Sequence, residues 1–91
     1  MQLMLEQVHV GDATRPLQLY VNRYRDGGVV CRPHCHDCRQ LTLSVGAERT
    51  LTVSGAGLPP GEHAIRMRCG DFVLLDGQQH GVPADLSLIH I

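Results

Sequence analysis

Polar and apolar residues take turns along most of the chain. In "LQLYVNRY" (residues 17–24), Leu17, Leu19 and Val21 share one face, and Gln18, Tyr20, Asn22 and Tyr24 share the other. A period of two predicts a strand. "QLTLSV" alternates in the same way and predicts Leu41, Leu43 and Val45 inward, with Thr42 and Ser44 outward. "RTLTV" continues the pattern with Leu51 and Val53, and "AIRMRC" sets Ile65, Met67 and Cys69 against Arg66 and Arg68. "VVCR" predicts a short strand leading into Pro33, and "FVLL" (residues 72–75) a short buried one. "LMLEQV" predicts one or two helical turns instead.

Turn signals separate these stretches. "GDATRP" and "SGAGLPPGEH" read as loops, and "RDGG" as a hairpin-type turn, because Asp-Gly accepts a positive φ at little cost. About six short strands between turns predict an all-β antiparallel sandwich or barrel of the jelly-roll kind. Six is short of the eight strands of a complete jelly roll, so an open sheet edge is expected.

Composition narrows the reading. Ninety-one residues allow one small domain. Apolar residues make up 43% and aromatic residues 3%, with no Trp, so a core must rest on Leu, Val, Ile and Met. A net charge of −1 gives no basic footprint for nucleic acid. No apolar run is long enough to span a membrane, and "MQLMLEQ" lacks the layout of a signal peptide. The four cysteines of a chain without such a signal are expected to be intracellular thiols or ligands, not disulfides. Residues 86–91, "LSLIHI", match the translation of a sequencing-transposon end. They are expected to be an adapter-derived tail, leaving residues 1–85 as a single partial jelly-roll domain.

The chemistry-bearing stretch is "RPHCHDC", residues 32–38. On an extended backbone His34 and His36 face the same way, so both can reach one ion. His80 follows a strand and a turn far along the chain. A close pair plus one distant histidine predicts a three-ligand metal site with open positions left for a substrate and dioxygen. Cys35-x-x-Cys38 has zinc spacing, and Cys31 or Cys69 could add to it, which describes a non-catalytic zinc module. The second pair such a site needs is missing.

"VNRYRDGG", "H-x-H-D", "LSVGAERTL" and "GDFVLLDGQQHGVP", taken in that order, resemble the AlkB-like branch of the iron(II)- and 2-oxoglutarate-dependent dioxygenases, from about Leu17 to Pro83. The resemblance implies a double-stranded β-helix, a form of jelly roll. It implies that Asn22 and Tyr24 hold 2-oxoglutarate, that His34 and His80 bind iron(II), and that the stretch carrying Arg49 is structural. Where the family has its metal-binding Asp, this chain has His36, with Asp37 next to it; either one completes the triad. The family's arginine for the 2-oxoglutarate carboxylate comes after the distal histidine, and no arginine follows His80 here. The parent protein is thus expected to be an enzyme, oxidising an alkylated nucleic acid base or a protein, while the 91-residue chain is expected to be inactive. The histidine spacing with Gln40 also nearly fits the first motif of the cupins, which share the jelly roll and use metal without 2-oxoglutarate.

Overall fold

In the computed structural model, which describes residues 6–10 and 18–88, the alternating stretches form eight antiparallel strands and one short 3-10 turn. The strands are β1 (Glu6–Val10), β2 (Leu19–Arg23), β3 (Cys31–His34), β4 (Arg39–Leu43), β5 (Arg49–Ser54), β6 (His63–Met67), β7 (Phe72–Asp76) and β8 (Gln79–Val82). They make three sheets: β1–β2, a four-stranded sheet in the order β3–β8–β5–β6, and β4–β7. The fold is therefore all-β with open sheets. None of its helices is long and apolar enough to cross a membrane, among the described residues.

β5 is the middle of the packing. It pairs with β8 on one side and β6 on the other, and it is the most buried strand. Leu51 and Val53 project from it, as its alternation predicts, and meet Met67 of β6 and Leu75 of β7. Ile65, Val73 and Val82 pack around this cluster. The β4–β7 pair thus lies across the inner face of the four-stranded sheet. Burying four such side chains contributes roughly 6–12 kcal/mol before conformational entropy is charged against it. That is a small core for one domain.

The structure corrects four sequence expectations. Glu6–Val10 is a strand, not helical turns, because it zips against β2 in full register from Glu6↔Arg23 to Val10↔Leu19; residues 3–5 lie outside the described residues. Strands number eight among the described residues, not six, since β1 and "QHGV" also pair. "FVLL" is buried on one face only: Leu75 is 4% exposed, Phe72 65% and Leu74 72%. The "QLTLSV" faces are reversed, with Leu41, Leu43 and Val45 outward and Gln40 and Thr42 half-buried. Register explains this. Leu75 enters the core, Gln40 lies opposite Leu75, and Leu41 lies opposite Leu74 on the far face.

Arg49, at the start of β5, is 9% exposed and ties three segments together. Its guanidinium donates to the carbonyls of Asp26 (3.1 Å), Val29 (2.9 Å) and Pro83 (2.9 Å). It also lies 5.2 Å from the centre of the Tyr24 ring, within cation–π range. The chain ahead of β3 and the chain after β8 are thereby fastened to the central strand. Gly81 performs a related task between strands. A Cβ there would stand 2.9 Å from the Cys31 carbonyl oxygen and 3.0 Å from Pro33 N, so β3 can approach β8 this closely only over a glycine. Pro33 itself is tolerated because β3 is an edge strand with a register shift between Cys31 and His34.

Replacing Arg49 with Met removes all three donors and leaves carbonyls unpaired, so unfolding free energy falls by about 2–4 kcal/mol. Lys, a single point donor, recovers only part of this. Urea titration of the three proteins checks both statements.

Candidate metal centre

β3 and β8 pair so that His34 and His80 are direct cross-strand partners, 46 positions apart in sequence. Across an antiparallel pair, opposite residues share a face. His80 is also opposite Val53 of β5, so both histidines stand on the inner face of the four-stranded sheet, beside the core. Cys31 and His34 are three apart yet both project to this face, which the register shift between them makes possible. His36 lies two residues past the end of β3, in the connection to β4, and turns back toward the pair.

The three rings are close. Ring centres are 4.4 Å apart for His34 and His80, 5.0 Å for His34 and His36, and 5.7 Å for His36 and His80. One nitrogen from each lies within 4.8 Å of the others. Imidazole nitrogens around one ion at about 2.1 Å stand roughly 3 Å apart, so modest side-chain rotations bring the three onto it. His34 and His80 are half-buried and His36 is exposed, leaving one side of the cluster open to solvent.

Backbone carbonyls orient two of the rings. His34 Nδ1 lies 2.9 Å from the Arg32 carbonyl oxygen, and His80 Nδ1 lies 3.4 Å from that of Gln78. A carbonyl can only accept, so each Nδ1 carries the proton and each Nε2 keeps its lone pair for a metal. Burial lowers the pKa of His80 from its ordinary value; the hydrogen bond to the Gln78 carbonyl opposes this, and the neighbouring His34 and His36 add to it. Three neutral nitrogen donors with no carboxylate among them fit a divalent first-row ion such as iron, zinc or copper.

Asp37 is exposed and stands outside the cluster. The four cysteines are free, and among the described residues no thiol joins a group of three or more metal-binding side chains. Cys35 and Cys38 face solvent, and Cys69 accepts a hydrogen bond from the Gly46 amide at 3.3 Å. Gln40 is half-buried on β4, opposite Leu75.

Asn22 and Tyr24 have different surroundings. Asn22, on the β1–β2 hairpin, accepts a hydrogen bond from the Gln7 side chain at 2.7 Å. Tyr24 packs by Arg49 and Cys31. Burial drives its hydroxyl well above the ordinary range; the Cys31 thiol, hydrogen-bonded to it, adds to this and Arg49 opposes it. Tyr24 therefore remains a protonated donor. Cys31 Sγ in turn lies 3.6 Å from His34 Nδ1. Spacing offered Cys31 only as an addition to a cysteine zinc site; its place beside His34 depends on the register shift, which leaves no mark in the alternation.

No protein-family model matches this chain, nor does any curated protein sequence or any solved structure.

Either His34→Ala or His80→Ala lowers affinity for a divalent ion by about 100-fold or more, since each removes a coordinating nitrogen, whereas Asp37→Asn leaves it unchanged. Competition with a chromogenic chelator measures this. Cobalt-loaded protein shows no sulfur-to-metal absorption. Protons compete for the same nitrogens, so affinity falls as pH drops, and His80, whose pKa burial lowers, gives up its nitrogen to a proton only at a lower pH than a free imidazole would.

Proposed function

We propose that this chain is the metal-binding part of an iron(II)- and 2-oxoglutarate-dependent dioxygenase of AlkB-like type, with His34, His36 and His80 as the ligands. The observation that carries the reading is the convergence of these three side chains, from two strands and a connection, within 4.8 Å of one another.

The strand pairing supports the fold side of the proposal. β3–β8, β4–β7 and β5–β6 are nested pairs, the pairing that the inner part of a jelly roll's winding would have. A complete jelly roll nests a fourth pair outside these three, and that pair would widen β4–β7 toward a second four-stranded sheet. Arg49 also fits the structural part that the resemblance gives to its stretch.

Iron(II) with 2-oxoglutarate supplies oxidative hydroxylation or demethylation by dioxygen. The chain's own contribution is positional. His34 and His80 present Nε2 in a set tautomer from paired strands. His36 closes the triad from the solvent side, where a substrate would approach. Tyr24, kept protonated by burial, is a hydrogen-bond donor one side chain away from His34, suited to a carboxylate oxygen of the cosubstrate. Asn22 would have to exchange its Gln7 partner to join it.

A second reading, a cupin-type metal protein that works without 2-oxoglutarate, is favoured by one observation. The cluster takes in His36 and leaves Asp37 outside. A neutral imidazole in place of a carboxylate makes a bound ion one unit more positive.

Spectroscopy of the anaerobic iron(II)-loaded chain separates the two. The first reading expects the visible charge-transfer band of a chelated 2-oxo acid when 2-oxoglutarate is added, weakened in Tyr24→Phe. Iron binding without any such band favours the cupin-type reading, and failure to bind iron overturns both. Succinate release by the 91-residue chain itself is expected to be absent.

A further inference from the structure

We propose that the outer face of β4–β7 is a self-association surface, on which two copies of this chain pack face to face. The proposal is independent of the metal centre. Leu41, Leu43, Phe72 and Leu74 project from this face, Val45 follows just beyond the end of β4, and all five are 59–79% exposed. Cross-strand pairing makes the patch continuous, with Leu41 opposite Leu74 and Leu43 opposite Phe72. The far face of β5 and β6 is unlike it, carrying half-buried Thr50, buried Thr52 and exposed Arg66. Side chains of this size expose on the order of 100 Å² each, so the patch is roughly 500 Å². That is as large as the largest apolar patch on a typical monomer, about 300–600 Å². It is smaller than the ~800 Å² per partner of a standard interface, which places the association toward the weak end.

Charge selects a second copy as the occupant. One end of the same face carries Arg39 opposite Asp76, an exposed ion pair at 3.4 Å. A two-fold axis running along the strands would lay β4 of one copy over β7 of the other. Arg39 then meets Asp76 of the second copy, Leu41 meets Leu74, and Leu43 meets Phe72. Turning one copy end for end would instead bury the charged pair against Leu43, Phe72 and Val45, at a desolvation cost. The face is thus self-complementary in one orientation only, and that orientation closes as a symmetric dimer. The β1–β2 hairpin also exposes Val8, Val10, Leu19 and Val21. Among the described residues its strands pair only with each other, whereas β7 sends Leu75 into the core behind the β4–β7 face, so that face is the better braced platform for docking.

Sedimentation velocity on the whole chain across a concentration series tests this, with circular dichroism confirming that each variant is folded. The wild-type chain is expected to show a reversible monomer–dimer equilibrium, and Leu41→Lys to shift it to monomer. Arg39→Asp and Asp76→Arg should each weaken the dimer about tenfold or more through like-charge contact, while an equimolar mixture of the two should recover it as a heterodimer. Wild-type monomer at every concentration overturns the proposal. So does a mixture that does not recover, or open-ended assembly in place of a dimer. A Leu19→Lys variant that abolishes association, with Leu41→Lys having no effect, would assign the contact to the hairpin and likewise overturn it.

Discussion

A buried guanidinium holds this small β-domain in register. Arg49 lies on the central strand, almost out of solvent, and spends its terminal nitrogens on carbonyls from the turn before β3 and from the chain just after β8. An arginine carries five N–H donors in a planar fork, so one side chain can hold several segments at fixed distances. Its Nε is the one buried side-chain nitrogen or oxygen without a partner among the described residues. Burying a cation is costly, and hydrogen bonds to carbonyl dipoles offset the cost only while every segment stays in place. The fastening of β3 and β8 to β5 is therefore cooperative, which matters in a domain whose apolar cluster centres on four side chains.

The histidine cluster follows from that fastening. β3 and β8 must lie side by side for His34 to oppose His80, and Gly81 must lack a side chain for β3 to come so close. Once the strands are placed, the carbonyls of Arg32 and Gln78 turn the two rings so that the same nitrogen of each is free. Preorganisation of this kind lowers what a bound ion must spend on ordering its ligands. The inner-face position also lowers the pKa of His80 through burial, so protons compete less for its nitrogen. The cysteines that crowd the same stretch of sequence take a different path: Cys35 and Cys38 point to water, while Cys31 links Tyr24 to His34.

Some exposed polar groups do local work that their neighbours in sequence foreshadow. Asp71, just after Gly70, accepts from the Arg68 amide at 2.9 Å and pairs with its side chain, fixing the turn into β7. Arg66 projects outward from β6 and reaches Glu48 and Asp85. The Arg68–Asp71 and Arg66–Glu48 pairs are exposed and contribute little to stability.

Alternation in "QLTLSV", "RTLTV" and "AIRMRC" was enough to identify strands, and the inward set of β5 and β6 was readable because only one face of each is apolar. The three histidines were readable as well, since their residue type and spacing narrow the chemistry before any fold is known. Which face of β4 is buried was not readable. In "FVLL" both parities are apolar, so nothing local says that Leu75 enters the core and Leu74 does not, and β4 inherits its orientation from that choice through register. The same limit applies to the site. Sequence alone determined that this is a strand-rich chain with three histidines able to share an ion. Only the tertiary structure decided that His36 joins His34 and His80 while Asp37 stays outside, because that depends on where β3 ends and how its shifted register turns the connection beyond it.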